Sequence, residues 1–377
     1  MLRHDETHQG LHAEQGRLAG EHRGRSVNPV IKVQDIAWLE FEKPDLAAAE
    51  VFARAFGFTP VHRTAGELTL RGSLPGAPCV IIRKGAASRF VGPAFRAADR
   101  GDLDRLAAVT GTRVRALPEH LGGASVDVRE PAGTRVRVVA DVIEHPSLPP
   151  QSALDLNVGG ARSRTNRPQR PPREPARVER LGHVVLQTPR FRASLDWYLD
   201  HLGLIVSDFL YFPGQRDRGP TMGFIRCDRG DTPADHHTLA MTLGPRNRYV
   251  HSAYQVADLD ALAAGGEYLK DLGYQHSWGI GRHIQGSQIF DYWRDPDGFL
   301  VEHFSDGDVF DASLEPGWAP MTASGLAQWG PPASADFLGI APGRESLSEA
   351  MSMARALRAD NEFDLSRLAG LLKVARS

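Results

Sequence analysis

Apolar and polar positions follow the same order in two stretches of the 377-residue chain. In the first stretch, an apolar strand over 36–44 is followed by a helical pattern over 46–56. In the second stretch, the strand covers 181–189 and the helical pattern covers 191–202. A glycine between hydrophobic residues closes each helical pattern, which is a common signal for a helix end. These matches predict an internal repeat, and a repeat decides the fold.

The repeat continues through two more pairs of segments. Residues 89–95 match 248–254, both with the period-two alternation of a strand, and a helical pattern follows each. The turns at 131–133 and 296–298 also match, and an alternating strand follows each turn. Each copy therefore predicts a pair of βαβββ units, and the whole chain predicts an α+β fold of two tandem modules.

The repeat also sets the predicted domain boundaries. Residues 28–144 form the first module and residues 178–309 form the second. The segment between them, 145–177, is rich in proline and arginine and is predicted to be a linker laid over the surface. Residues 1–27 are polar and are predicted to be disordered. Residues 310–377 form a tail that ends in helices.

The tail carries two tryptophans in a stretch, 310–339, that has no regular apolar period. Large aromatic side chains are costly to leave in water, so we predict that Trp318 and Trp329 pack the tail back onto the body. One arrangement places the tail beside or over the open end of the second module, where it would limit solvent access to a site. The alternative is packing on the outside of the body or in a dimer contact.

Charge and composition exclude some classes of protein. The chain has 44 Lys and Arg against 46 Asp and Glu, which argues against nucleic-acid binding because that needs a basic surface. No apolar run approaches the roughly 18–20 residues that cross a bilayer, and residues 1–27 do not suit a signal peptide. Cys79 and Cys227 match no CxxC pattern and are predicted to be free, buried thiols in a reducing cytoplasm. We therefore expect a cytoplasmic protein with no nucleic-acid or membrane partner.

Three matched strand positions differ between the copies in a way that predicts chemistry. The second copy has possible metal ligands there, namely His183, His251 and Glu302. The first copy has no such side chains at these positions, namely Trp38, Gly92 and Arg137. Two imidazoles and a carboxylate form a 2-His-1-carboxylate set, which leaves the other face of a metal ion open. Each residue alone is more often an ordinary packing or surface residue, but together they predict a metal centre in the second module.

The segments around these residues resemble a known family. Leu181-Gly182-His183, the run from His251 to Val256, and Asp295 to Glu302 resemble the metal-binding segments of the vicinal oxygen chelate superfamily. Within it, the chain resembles the two-domain type I extradiol ring-cleavage dioxygenases from about Val33 to Asp308. The resemblance implies two tandem vicinal oxygen chelate modules, each a cupped mixed sheet. It also implies that His183, His251 and Glu302 are the metal ligands and that the first module is a degenerate, metal-free copy.

Three further residues carry the resemblance to dioxygenases rather than to the superfamily at large. They are His237 in the His236-His237-Thr238-Leu239 segment, His283 in Gly281-Arg282-His283, and Tyr292. The resemblance implies that all three are catalytic. His237 would face the oxygen site and deliver a proton, while His283 and Tyr292 would hydrogen-bond the substrate oxygens. The resemblance gives no role to His276 or His303, which are expected to be surface residues, and His236 is expected to be a surface or packing residue.

The implied reaction is extradiol, or meta, cleavage of a catechol or trihydroxybenzene by O2 at a non-haem Fe(II) centre, in aromatic-compound catabolism. Mn(II) suits the same ligands. Biphenyl-2,3-diol and catechol enzymes are the nearest types, but residues 284–286 read Ile-Gln-Gly where the biphenyl-diol enzymes have Thr-Asn-Asp. The tail over 315–332 resembles the trihydroxytoluene oxygenase branch. The implied partners are an aromatic diol, O2 and further copies of the chain in a homo-oligomer.

Two other functions fit parts of the pattern. A glyoxalase-like isomerase or lyase of the same superfamily needs the metal but not His237, His283 and Tyr292 together. A non-catalytic small-molecule binding protein of this fold would not need the three metal ligands. A yellow product from a colourless catechol in air would distinguish the dioxygenase from both.

Overall fold

The computed structural model describes residues 14–15, 21–152, 154–339 and 345–374. Within these residues the chain forms an eight-stranded sheet, an eleven-stranded sheet and a two-stranded ribbon, together with six α-helices. This mixture of large mixed sheets and few helices confirms the predicted α+β class with two tandem modules. None of the described helices has the length and apolar character that a membrane-crossing segment requires.

The first module follows a short strand, β1 (Glu14–Gln15). Its strands are β2 (Asp35–Lys43), β3 (Thr59–Arg63), β4 (Glu67–Arg71), β5 (Val80–Lys84), β6 (Arg89–Arg96), β7 (Arg115–Ala116), β8 (Ala124–Arg129) and β9 (Arg135–Ala140). Its helices are α1 (Leu46–Phe56) and α2 (Arg100–Thr110). The strands lie side by side in the order β3-β4-β5-β2-β6-β9-β8-β7.

The second module repeats this arrangement. Its strands are β10 (Arg180–Thr188), β11 (Leu204–Tyr211), β12 (Met222–Cys227), β13 (Ala234–Asp235), β14 (Leu239–Leu243), β15 (Arg248–Gln255), β16 (Gln275–His283), β17 (Ile289–Arg294), β18 (Leu300–Ser305) and β19 (Val309–Phe310). Its helices are α3 (Phe191–Leu202) and α4 (Leu259–Asp271). The order β11-β12-β14-β10-β15-β18-β17-β16 is the order of the first sheet, while β13 and β19 pair as the separate ribbon.

The tail adds edges to the second sheet. It contains β20 (Gly317–Pro320), β21 (Ala327–Trp329), α5 (Glu345–Ala356) and α6 (Leu365–Val374). Strand β20 pairs with β11 on one side and β1 on the other, and β21 pairs with β16 at the opposite edge. These three strands extend the repeated eight-stranded order to eleven.

Strand register shows that the aligned positions of the two copies are structurally equivalent. His183 pairs with Ala253, and Ala253 pairs in turn with Glu302. The first sheet has Trp38 paired with Ala94, and Ala94 paired with Arg137. The predicted helices over 46–56 and 191–202 have the bounds of α1 and α3, and a second helix follows in each module as predicted.

Local signals define the helices. Helix α1 begins after Asp45, whose carboxylate accepts the backbone N–H groups of Ala47 and Ala48. It ends at Gly57, which has a φ of 105° in the left-handed region. A Cβ at this position would lie 1.7 Å from the carbonyl oxygen of Ala176 at the end of the linker. Only glycine satisfies both requirements.

The two modules share one hydrophobic core. The four module helices and the sheet faces beneath them form a continuous cluster, in which Phe52 and Phe56 of the first module join Tyr254 and Trp293 of the second. The ring of His303 is fully buried in this interface, where it stacks on Phe56 at 3.7 Å between centroids and its Nε2 bonds the Phe56 carbonyl oxygen at 2.8 Å. The expectation that His303 is a surface residue was wrong, because its strand face looks toward the neighbouring module.

A buried ion pair also crosses the interface. The ammonium of Lys43 contacts the carboxylates of Asp295 and Asp297, the latter at 2.8 Å, in the hairpin that precedes β18. Lys43 is buried although lysine is normally exposed, and pairing is what makes such burial tolerable. The first module therefore holds the start of the strand that carries Glu302.

The outer segments differ in part from expectation. Residues 1–13 and 16–20 of the segment predicted to be disordered lie outside the described residues, but β1 pairs with β20, and Arg23 pairs with Asp196 and Asp200. Trp318 is buried as predicted, whereas Trp329 is 46% exposed because β21 lies at the sheet edge. Cys79 and Cys227 are free and buried. The domain boundaries stay predictions.

Candidate metal centre

Three adjacent strands bring His183, His251 and Glu302 together on the face of the second sheet that looks away from the shared core. The Nε2 atoms of His183 and His251 lie 3.5 Å and 3.3 Å from Oε2 of Glu302. One ligand atom from each residue lies within 4.8 Å of the other two. The predicted ligands thus converge on one point, at the centre of the sheet where β10, β15 and β18 are neighbours.

The donor set fits a divalent cation. Glu302 is fully buried, yet neither of its carboxylate oxygens has a hydrogen-bond partner in the part of the chain that the structure describes. Burial lowers the pKa of His183. Burial opposes ionisation of Glu302, but the two histidines outweigh it and lower the pKa of this carboxyl group. The result is a neutral imidazole beside an ionised carboxylate, which are the forms that bind a metal.

His237 lies directly beside this centre. Its ring centroid is 3.9 Å from that of His183, and burial holds its pKa well below the usual range. Nδ1 of His237 lies 2.9 Å from Nδ1 of His236, whose Nε2 lies 2.7 Å from a carboxylate oxygen of Asp208. His236 is 1% exposed and contacts His237, so of the two expectations for this residue, surface or packing, burial excludes the surface position. A β-bulge before Asp208 on β11 turns its side chain toward the histidine pair.

His283 and Tyr292 form a second hydrogen-bonded group near Glu302. Nε2 of His283 lies 2.9 Å from the hydroxyl of Tyr292, and Nδ1 lies 2.8 Å from the carbonyl oxygen of Leu326 in the tail. Since a carbonyl only accepts, Nδ1 carries the proton and Nε2 accepts the tyrosine hydroxyl. Burial lowers the pKa of His283 to about 4. Burial and the nearby Glu302 carboxylate raise the pKa of Tyr292 above its usual value.

Aromatic side chains form one wall beside this group. The ring of Trp278 stacks against Tyr292 at 5.6 Å, and Phe337 of the tail packs on Trp278 at 4.4 Å and on Tyr292 at 4.9 Å. The indole N–H of Trp278 donates to the carbonyl oxygen of Pro331. Of the tail, Leu326 and Phe337 therefore lie beside the candidate site, as one predicted arrangement required, whereas Trp318 packs on Phe209 at the opposite edge of the sheet.

The same place in the first module holds an ion-pair network. Arg137, which occupies the position of Glu302, lies 2.6 Å from a carboxylate oxygen of Glu40. Arg83 and Arg135 contact the other oxygen at 2.8 Å and 3.1 Å, and the indole of Trp38 donates to the same carboxylate. Glu40 is 2% exposed, so three guanidinium groups compensate one buried carboxylate. This arrangement leaves no place for a metal ion at the matched positions.

Some functional neighbours were missed from the sequence. Asp208, the Leu326 carbonyl and Phe337 reach the site from a strand and a tail that are distant along the chain, and no local pattern signals these contacts. The adjacent pair His236-His237 was a usable signal, since two neighbouring histidines in the short, buried connection between β13 and β14 can bond each other.

Comparisons with known proteins agree with this site. Residues 180–303 match the family model described as the Glyoxalase/Bleomycin resistance protein/Dioxygenase superfamily. The chain is 30% identical to metapyrocatechase 2 of Cupriavidus necator over 310 residues, which covers 81% of this chain and 92% of that protein. It is 29% identical to an iron-dependent extradiol dioxygenase of Rhodococcus jostii over 40% of this chain and 50% of that protein.

Solved structures share the fold. The structure of homoprotocatechuate 2,3-dioxygenase from Brevibacterium fuscum with 3,4-dihydroxyphenylacetate matches with a TM-score of 0.67 at 17% identity, over 84% of this chain and 95% of that one. A Mn(II)-bound glyoxalase from Novosphingobium aromaticivorans matches with a TM-score of 0.66 at 24% identity, over 81% and 94%. The fold and the site define a tandem vicinal oxygen chelate protein. Its similarity to metapyrocatechase 2 over nearly the whole of that protein is more specific, and the chain belongs to the extradiol ring-cleavage dioxygenases.

Proposed function

We propose that His183, His251 and Glu302 hold Fe(II), with Mn(II) as the alternative ion, and that the chain cleaves the ring of a catechol or trihydroxybenzene beside the diol. The observation that carries this assignment is the fully buried Glu302 carboxylate, which faces two imidazoles and accepts no hydrogen bond from the described residues. When bound, such an ion supplies an open face for the diol and O2 and a route for electron density between them.

His237 is assigned as the acid–base residue on the oxygen side. The Asp208 carboxylate accepts the Nε2–H of His236, which leaves Nδ1 of His236 as the acceptor for Nδ1–H of His237. Nε2 of His237 is then unprotonated and free to take a proton and return it during ring cleavage. Its position beside His183 supports this role, because proton transfer requires a group within hydrogen-bond reach of the reacting atoms.

Tyr292 and His283 are assigned to the diol. Neutral His283 accepts the tyrosine hydroxyl, so a proton from the substrate hydroxyl has a path through Tyr292 to Nε2 of His283. The Leu326 carbonyl keeps Nδ1 as the donor and so keeps Nε2 available. This arrangement favours binding of the diol as its anion.

The aromatic wall supports a flat, apolar substrate. Trp278, Phe337 and Tyr292 present ring faces and edges beside the metal ligands. The relative from Rhodococcus jostii is named as an iron-dependent extradiol dioxygenase, which supports a catechol-type diol here. The sequence of the tail over 315–332 favours a trihydroxytoluene-type ring over a biphenyl diol.

The test is anaerobic reconstitution with Fe(II), followed by O2 and a panel of catechols and trihydroxybenzenes. We expect a yellow ring-opened product, O2 uptake equal to the diol consumed, and greatest activity with trihydroxybenzenes. Parallel reconstitution with Mn(II) determines the preferred ion. A chain that binds either metal tightly but consumes no O2 with any diol, while isomerising a glyoxalase-type substrate, would exclude the proposal.

A further inference from the structure

A second group of metal-ligating side chains lies in the first module. His62 on β3, Glu67 on β4 and His120 in the turn between β7 and β8 each offer one ligand atom, and these atoms lie within 4.8 Å of one another. We call this group the His62 cluster. Among the described residues, it is the one such group besides His183, His251 and Glu302. It does not involve the positions of the first module that match the metal centre of the second.

The fold brings these residues together without help from a ligand. His62 lies opposite Thr69 in the antiparallel pair of β3 and β4, and Glu67 lies two residues from Thr69 on the same strand face. The turn that carries His120 is closed by N–H groups of residues 121 and 122, which donate to the carbonyl oxygen of Pro118. Leu121 is buried in the same apolar cluster as Trp38 and anchors this turn.

The ligand atoms of the His62 cluster lie close together without hydrogen bonds that would satisfy all of them, so they can accept a cation. Nε2 of His120 lies 2.8 Å from Oε1 of Glu67, but it is buried and has no hydrogen bond of acceptable geometry to any described residue. The rings of His62 and His120 are stacked, with centroids 3.9 Å apart and planes 8° from parallel. Two protonated imidazoles would repel each other in this stack, whereas two neutral imidazoles present nitrogen lone pairs beside a carboxylate.

The Glu67 carboxylate is also oriented from outside the cluster. Its other oxygen lies 3.0 Å from Nε of Arg83, which at the same time contacts Glu40. An outer partner of this kind is usual for a carboxylate that binds a metal, because it fixes the direction of the ligating oxygen. The side chains of His120 and Glu67 are 26% and 14% exposed, so an ion can reach them from solvent.

We propose that His62, Glu67 and His120 bind a divalent transition-metal ion, for which Zn²⁺ is the best match. Two nitrogen ligands and one carboxylate oxygen, with water as the fourth ligand, suit its tetrahedral preference. Binding requires the ring of His62 to turn out of the stack, so that both imidazoles direct a nitrogen at the ion. The ion ties the β3–β4 hairpin to the β7–β8 turn. This site departs from the expectation that the first module is metal-free.

The experiment uses the full chain with the metal centre disabled by His183→Ala and His251→Ala. Zn²⁺ is titrated into this metal-free protein by isothermal titration calorimetry at about pH 7.5, where imidazole is mostly neutral. We expect one Zn²⁺ per chain and a rise in the thermal unfolding midpoint. Adding His120→Ala should weaken binding about 100-fold or more and remove the rise. Adding His145→Ala, at a histidine outside the cluster at the start of the linker, should change neither.

A second measurement avoids the His183→Ala and His251→Ala substitutions. In the otherwise unchanged chain, loaded with Fe(II) and then with Zn²⁺, Glu67→Gln should reduce the total metal content by one ion per chain and leave ring cleavage intact. Zn²⁺ binding that is unchanged by His120→Ala, or absent from the disabled chain, overturns the proposal. Metal content that is unchanged by Glu67→Gln also overturns it.

Discussion

The two modules have the same strand order and register but satisfy a buried carboxylate in different ways. In the second module, Glu302 faces His183 and His251, and no Lys or Arg among the described residues pairs with its carboxylate. In the first module, Glu40 is surrounded by guanidinium groups, the closest belonging to Arg137. A buried carboxylate requires a positive partner in either case. The first module takes that partner from its own arginine side chains, whereas the second module depends on an ion from solution.

The difference extends beyond the ligand positions. Gly92 occupies the place of His251, with a φ of 156°, and a Cβ there would lie 2.0 Å from the carbonyl oxygen of Arg135. Asp127 pairs with Arg137 in the register where Tyr292 pairs with Glu302. Exchanging three side chains would therefore not give the first module the metal centre of the second, because the backbone at Gly92 would also have to move.

The largest expected effect comes from the ligands themselves. His183→Ala should remove the metal ion of the second module and reduce turnover by at least about 10⁴-fold, because that ion would hold both reactants. The matched change in the first module, Trp38→Phe, should leave metal content and turnover unchanged and lower only the free energy of unfolding. Metal analysis and O2 uptake on both variants check this contrast. Equal loss of activity in the two variants would mean that the first cup also takes part in catalysis.

His237→Ala should give the next largest effect. We expect turnover to fall by about 10²–10⁴-fold, as is usual when an acid–base group is removed, with Fe(II) content and anaerobic diol binding retained. The O2 dependence of the rate should locate the loss in the oxygen step. Near-full turnover would remove this assignment from His237 and direct attention to His236.

Asp208→Asn tests the orientation of the histidine pair. An amide can donate to His236 where the carboxylate only accepts, so the proton pattern along the pair should change. We expect turnover to fall about 10-fold or more, with unchanged metal content, as for other outer partners of a site. Asp208→Glu should recover part of the rate. If the Asp208→Asn and Asp208→Glu variants have the same turnover, Asp208 acts only in packing.

Phe337→Ala tests the wall that the tail contributes. An aromatic contact of this kind contributes about 0.5–1.5 kcal/mol, so KM for the diol should rise about 2–10-fold while kcat changes little. Bulkier ring substituents should be affected least, because they refill the space. The test compares steady-state kinetics across the diol panel, and a uniform fall in kcat would instead indicate a disturbed Tyr292.

Arg137→Ala should have the smallest effect on catalysis. Breaking a buried ion pair outright costs about 3–5 kcal/mol, but Arg83 and Arg135 remain on Glu40, so we expect a loss of about 2 kcal/mol in the free energy of unfolding. Turnover should stay at the unmodified level. Urea unfolding and activity measured on the same sample check both parts, and a fall in Fe(II) content would contradict the separation of the two cups.

The sequence predicts the parts of this fold that repeat or alternate. The helices over 46–56 and 191–202 have clear periodicity and glycine ends, and the three side chains predicted as ligands converge. The contacts that orient the site were not predictable in the same way. The Asp208–His236 pair spans 28 residues and the His283–Leu326 contact spans 43, and a β-bulge directs the first of them. Trp329 lies on a three-residue edge strand, where pairing follows from the folded sheet rather than from local pattern.

One continuous hydrophobic core joins the two modules. The linker is therefore needed to bring the modules together during folding more than to hold the folded protein together. The described residues of the linker, 146–152 and 154–175, run largely exposed and contain no helix or extended strand, so a protease would cut there. A chain nicked there would keep its two halves together, because separation would expose the helices and sheet faces of both. The half that carries His183, His251 and Glu302 would expose its side of this core if it were released. The first module, which has Trp38, Gly92 and Arg137 at the matched positions, thus forms the permanent other side of the second module's interior.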